Sequence, residues 1–140
     1  MTNIVNDQDV MIAARTVWAE ARGEPYEGKI AVAHVLLNRW QSTTGQWAKD
    51  DTLATTCLRD QQFSCWSSGD PNFEKLQTIA VGDFVFRECL LAVLEALRPG
   101  NDDPTGGARH YKVIGTPAVW AEGRQPDLVL GHHEFYRNIP

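Results

Sequence analysis

Glu20, Glu24 and Glu27 fall within eight residues of one another, with Arg22 among them, in the run Glu20-Ala-Arg-Gly-Glu-Pro-Tyr-Glu-Gly. Carboxyl groups in such numbers suggest acid–base work on a bond with an oxygen leaving group, as in a glycosidase. The acid must then sit where water is scarce enough to raise its pKa. Glu20 meets that condition best, because it closes an apolar stretch beside Val17, Trp18 and Ala21. A helix C-terminus carries partial negative charge, which pushes a carboxyl pKa the same way. The alternative is three solvated glutamates with Arg22 in a surface ion pair, the commoner fate of glutamate at helix ends.

Two further runs carry usable chemistry. In Gln61-Gln-Phe-Ser-Cys-Trp, aromatic rings stand among amide and hydroxyl groups. Rings stack on the apolar faces of sugars while amides and hydroxyls bond their polar substituents, although Phe63 and Trp66 also suit ordinary packing. In Pro104-Thr-Gly-Gly-Ala-Arg-His-Tyr, a glycine turn leads His110 and Tyr111 into a strand. No lysine follows the glycines with phosphate-loop spacing. Of the four histidines, His34 lies in an apolar helix, whereas His132 and His133 are adjacent. On a strand the adjacent pair points to opposite faces and is poorly placed to share a metal. A zinc site from His110, one of that pair and an acid is conceivable, but no HExxH-type helix supports it. No GxSxG elbow is present, and Cys65 has no adjacent histidine.

The elements that must position these groups follow from periodicity. Asn6 can cap a helix through Val10, Met11, Ala14, Val17 and Trp18, ended by Gly23 in a left-handed conformation and by Pro25. A second helix, with Glu24 as its N-cap, runs to about Arg39 and is apolar on most sides. Residues 41–72 are polar, with a short helix near Thr52–Leu58. Helix returns from Phe73 to Leu97 in one or two pieces and looks like the central buried one, stopped by Arg98-Pro-Gly. Alternation at Tyr111, Val113 and Ile114, and again from Leu128 to Tyr136, predicts two or three small antiparallel strands. The fold class is α+β.

Composition narrows the field. A chain of 140 residues, 43% hydrophobic and 22% charged, fits one domain spanning 1–140 with a real core. Its net charge of −5 argues against a general grip on nucleic acid. No apolar run approaches the ~18 residues of a membrane span, so membrane insertion is not expected. The N-terminus has neither the basic start nor the apolar stretch of a signal peptide. Of the three cysteines, Cys89 sits in an apolar helix, while Cys57 and Cys65 are either small core residues or a disulfide across a loop.

The run from Thr16 to Arg39 resembles the opening of the SleB/CwlJ-type cell wall hydrolases, a family of spore cortex-lytic enzymes and phage endolysins. Gln62-Phe-Ser-Cys-Trp, Asp103-Pro-Thr-Gly-Gly-Ala with Tyr111, and Gly131-His-His-Glu-Phe-Tyr resemble its later motifs, in order, so the likeness covers roughly residues 10–137. It implies a lysozyme-like domain that cleaves the MurNAc–GlcNAc backbone of bacterial peptidoglycan, as a lytic transglycosylase or muramidase, with Glu20 as the single general acid and then base. Gln62, Phe63 and Ser64 would line the cleft, Tyr111 would orient the sugar, and Glu24 and His110 complete the substrate-side candidates. Gly23 and Pro25 also suit Glu24 to a part in the structure of the corner. No cofactor and no metal are called for. Spore enzymes of the family often carry a signal peptide and a separate wall-binding domain. Their absence from the sequence points to a monomeric phage endolysin, made in the host cytoplasm and released with a holin. Two rivals remain: a zinc-dependent N-acetylmuramoyl-L-alanine amidase or peptidase using His110 with His132 or His133, and a non-catalytic wall-binding module with Phe63, Trp66 and Trp120 as its platform.

Overall fold

A computed structural model of the protein describes residues 5–42, 52–59 and 64–140, apart from the side chain of Ser64. Helix α1 spans Asp7–Ala21 and α2 spans Tyr26–Trp40, followed by α3 (Leu53–Leu58), α4 (Phe73–Thr78) and α5 (Phe84–Leu97). Strands β1 (His110–Val113), β2 (Leu128–Leu130) and β3 (His133–Tyr136) complete the chain. The α+β expectation therefore holds, and the Phe73–Leu97 segment is two helices.

Helix α1 starts on a capping box. The Asn6 side chain accepts from the Asp9 N–H at 2.9 Å, and the Asp9 carboxylate accepts from the Asn6 N–H at 3.0 Å. The second Asp9 oxygen takes the Ala54 N–H at 3.0 Å and so fixes α3 against α1. The corner after α1 differs from its sequence reading. Gly23 does not enter the left-handed region; the chain turns because the Glu24 N–H bonds the Ala21 carbonyl at 3.0 Å. Pro25 takes the N-cap position of α2, with no side-chain cap. Its fixed φ suits that position, and the Glu24 side chain is engaged elsewhere.

The central helix is α2 rather than α5. Ala31, Val32, Val35, Leu36 and Trp40 are shut away from solvent, because α2 packs against both α1 and α5, which also touch each other, and meets α3 and β1. Helix α5 buries one face through Phe86, Cys89 and Val93, yet leaves Phe84 70% exposed. Its many apolar residues obscure an ordinary amphipathic helix.

In the sheet, β3 lies between β1 and β2 and runs antiparallel to both. The register pairs Tyr111 with Phe135, Val113 with His133, and Leu128 with Phe135. Paired residues share a face, so Tyr111, His133 and Phe135 stand together on one side. That side meets the helices, since Phe135 belongs to the same buried cluster as Val17 and Leu36.

Candidate active site

Glu20 follows Thr16 and Val17 by four and three positions, so it continues the buried face of α1. At the end of that face it meets the sheet, and Tyr111 donates its hydroxyl proton to Glu20 Oε1. Burial raises the Glu20 pKa above the usual carboxylate range. The Tyr111 hydrogen bond and the positive charge of Arg39 oppose that shift, and the Asp70 carboxylate adds to it. Burial and the neighbouring Glu20 charge hold the Tyr111 phenol well above its ordinary pKa, so it stays protonated and acts as the donor. Oε2 is thereby left as the oxygen able to carry an acid proton.

These groups open on a cavity of about 330 Å³ lined by Ala19, Glu20, Arg39, Tyr111, Lys112, Val113, Thr116 and His133. Glu20 is the only carboxylate among the described residues that line it. Arg39 enters from α2, where its Nε donates to the Arg109 carbonyl at 2.7 Å and ties the lead-in of β1 to the helix. Sequence reasoning missed Arg39. The available signal was a cation ending a helix that is otherwise apolar on most sides.

The Asp103-Pro-Thr-Gly-Gly-Ala motif sets the position of Tyr111. Asp103 accepts from the Thr105 N–H at 2.8 Å, the Thr105 hydroxyl at 2.7 Å and the Gly107 N–H at 2.9 Å, which folds the loop around one carboxylate. Asn38 of α2 then donates to both Asp103 and the Ala108 carbonyl, at 2.8 and 2.9 Å. These bonds to Asp103 hold its pKa down in spite of burial, which alone would raise it. The turn is thus anchored to α2, and β1 leaves it with Tyr111 aimed at α1.

Glu24 is buried outside the cavity lining; its carboxylate accepts from the His132 backbone N–H at 2.6 Å and faces His132 Nδ1 at 2.6 Å and His133 Nδ1 at 3.3 Å. Burial would raise its pKa, but the His132 hydrogen bonds and the two imidazoles outweigh burial and lower it. The two histidines therefore do not diverge as strand alternation suggests: His132 belongs to the turn before β3, so both reach one carboxylate. His110 lies on the opposite face of β1 from Tyr111, its ring 4.9 Å from that of Trp120. Its pKa falls to about 4 through burial and the nearby Arg39 and Arg109 charges. Gln62 and Phe63 lie outside the described residues, and Ser64 begins a short 3₁₀ turn, Ser64–Trp66. Trp66 packs on the core with its indole N–H on the Thr16 hydroxyl at 2.9 Å, while Trp120 packs with Tyr136. The two indoles thus belong to separate clusters and do not form one platform. Among the described residues no three His, Cys, Asp or Glu side chains stand together in an arrangement that could hold a metal ion.

The chain is 51% identical over 133 residues to a spore cortex-lytic enzyme of Bacillus subtilis, covering 93% of this chain and 38% of that protein. It is 36% identical over 131 residues to the Halalkalibacterium halodurans spore cortex-lytic enzyme, covering 93% of this chain and 35% of the relative. The chain thus spans between a third and a half of the length of the curated relatives it matches. The crystal structure of the catalytic domain of the Bacillus cereus SleB protein superposes with a TM-score of 0.77 at 27% identity, over 98% of this chain and 95% of that one. The catalytic domain of the germination-specific lytic transglycosylase SleB from Bacillus anthracis gives 0.74 at 27% identity, over 98% of this chain and 100% of that one. The lysozyme-like fold expected from the motifs is confirmed. These relatives correct the expectation of a phage endolysin released from a host cytoplasm: they are spore cortex-lytic enzymes. Residues 23–136 match the Cell Wall Hydrolase family, and the chain belongs to that family, on its SleB/CwlJ-type branch.

Proposed function

We propose that this chain is a catalytic domain, acting as a monomer over residues 1–140, that cleaves the MurNAc–GlcNAc backbone of spore cortex peptidoglycan as a lytic transglycosylase. The observation that carries this reading is one carboxyl group, Glu20, with a raised pKa, in a cavity whose described lining holds no second carboxylate. An inverting hydrolase places its carboxylates about 6.5–9.5 Å apart and a retaining one about 5–5.5 Å apart. A transglycosylase needs only one.

In the first step the Glu20 carboxyl gives its proton to the glycosidic oxygen. The bond from that oxygen to C1 of MurNAc breaks, leaving positive charge on the sugar ring. The Tyr111 hydrogen bond stabilises the carboxylate so formed. In the second step that carboxylate takes the proton of the C6 hydroxyl of the same MurNAc. O6 then bonds to C1, and a 1,6-anhydro ring closes. No water is consumed, and Glu20 ends protonated as it began. In this reading Gln62, Phe63 and Ser64 bind the sugar, and Tyr111 orients the reacting ring.

The test joins a variant to a product analysis. Glu20→Gln should lower lysis of purified cortex at least ~100-fold while keeping the fold, the usual scale for losing a general acid. The wild-type products should be lighter by one water than those of a muramidase digest of the same material. Undiminished lysis by the variant removes Glu20 from the mechanism, and products with reducing ends convert the reading to a hydrolase.

A further inference from the structure

Resting on that reading of the reaction, we propose that His133 is the hydrogen-bond acceptor through which the cavity grips a hydroxyl or acetamido N–H of the glycan, and that Glu24 is the positioning residue whose charge sets its tautomer. An ionised carboxylate only accepts, so its charge repels a bare ring-nitrogen lone pair beside it and favours an N–H there. His133 Nδ1 is buried 3.3 Å from Glu24 Oε1, an ion-pair distance without an aligned hydrogen bond, and no other polar group meets it. The proton of a neutral His133 is therefore drawn to Nδ1, which leaves Nε2 with a bare lone pair.

His133 forms part of the cavity wall, and with Nδ1 sealed inside, the Nε2 edge is the one left to face the opening. The ring is held edge-on against Tyr111 at 5.1 Å and against Phe135 at 6.1 Å, so the lone pair has a fixed direction. Burial favours the uncharged imidazole, although Glu24 pulls the other way. The surrounding wall needs such a group. Arg39 and Lys112 can only donate, and the Tyr111 proton is committed to Glu20. A glycan brings many hydroxyl and amide donors, and among the described side chains of the wall, beside the reacting Glu20 and the Thr116 and Tyr111 oxygens, His133 offers a neutral acceptor. Glu24 in turn is fixed by the His132 N–H at 2.6 Å, and Lys29 of α2 bonds the Glu24 carbonyl at 2.5 Å.

Two measurements test the proposal. The first is the ¹⁵N spectrum of the His133 ring in the native protein, which should show the proton on Nδ1. A ring protonated on Nε2 overturns the proposal without any variant. The second is binding of a defined GlcNAc–MurNAc tetrasaccharide to the Glu20→Gln protein, with and without a second change. His133→Asn keeps an amide donor near Glu24 but does not reach the cavity, and should weaken binding roughly 5–10-fold, the scale of one neutral hydrogen bond. His133→Gln, whose amide oxygen can reach the place of Nε2, should recover most of that loss. Equal binding by the Glu20→Gln protein and its His133→Asn form overturns the proposal. Lysis by Glu20→Gln alone overturns the reading of the reaction instead, so the two failures are distinguishable.

Discussion

Tyr111 and Glu20 share one proton-bearing contact, and each sets the behaviour of the other. The hydroxyl hydrogen bond favours the ionised carboxyl and so holds the Glu20 pKa below where burial alone would put it. Tyr111→Phe removes that bond and places an apolar ring edge in its stead. Both changes disfavour the carboxylate, so the Glu20 pKa rises further. The first step needs the protonated acid, and activity falls as pH rises through that pKa. The alkaline limb of the pH–rate profile should therefore move to higher pH in Tyr111→Phe. The maximal rate should drop roughly 10–100-fold, the scale of losing a group that orients reacting atoms. A limb displaced toward lower pH would contradict the hydrogen-bond direction. At this scale the apolar neighbours of Glu20 on its helix face left burial and exposure both open, and the motif resemblance singled it out, whereas nothing singled out Arg39. Its guanidinium acts across a helix pair, and no local pattern records which residue of α2 will face which residue of α1.

Each element here has a sequence signal, and the joints between elements carry most of what the signals leave out. Periodicity located α1, α2 and the three strands, and the caps Asn6, Thr52 and Asp83 sit where their side chains accept from the third residue on. The turn between β2 and β3 is different. Strand alternation separates His132 from His133, yet Gly131 at φ +60° bends the chain so that both meet Glu24. That joint is tight: a Cβ at Gly131 would lie 2.5 Å from Glu24 Oε1 and 3.2 Å from Pro25 Cδ. Gly131→Ala should therefore cost about 1–3 kcal/mol, combining left-handed strain with displacement of a bonded carboxylate. Gly123→Ala is the control, since Gly123 has φ +74° and nothing within 4 Å of an added Cβ. Its cost should stay near the strain alone, roughly 1–2 kcal/mol. Thermal unfolding of both variants separates the two contributions, and equal losses would mean that the Glu24 contact is soft.

For the molecule as a whole the question is what holds a chain of this size together. The sequence left a Cys57–Cys65 disulfide open, and the structure answers that Cys57, Cys65 and Cys89 are free and buried. Cys57 lies on α3 and Cys65 in the 3₁₀ turn after it, and both belong to the cluster that contains Val17 and Leu36. Burial pushes the Cys57 and Cys89 thiols up to about 12 and raises that of Cys65 as well. The thiolate is the reactive form, so none of the three offers a nucleophile to solvent while the core is closed. A disulfide closing so short a loop would contribute about 2–3 kcal/mol by restricting the unfolded chain. Here that stability must come from packing, which at 140 residues suffices without a covalent staple. Two outcomes follow together. A thiol reagent should leave the native protein unlabelled and titrate all three cysteines in denaturant, and reductant should change neither the melting temperature nor cortex lysis. A melting point lowered by reductant would show a covalent link, and rapid labelling of the native protein would show a core that opens more readily than its packing implies.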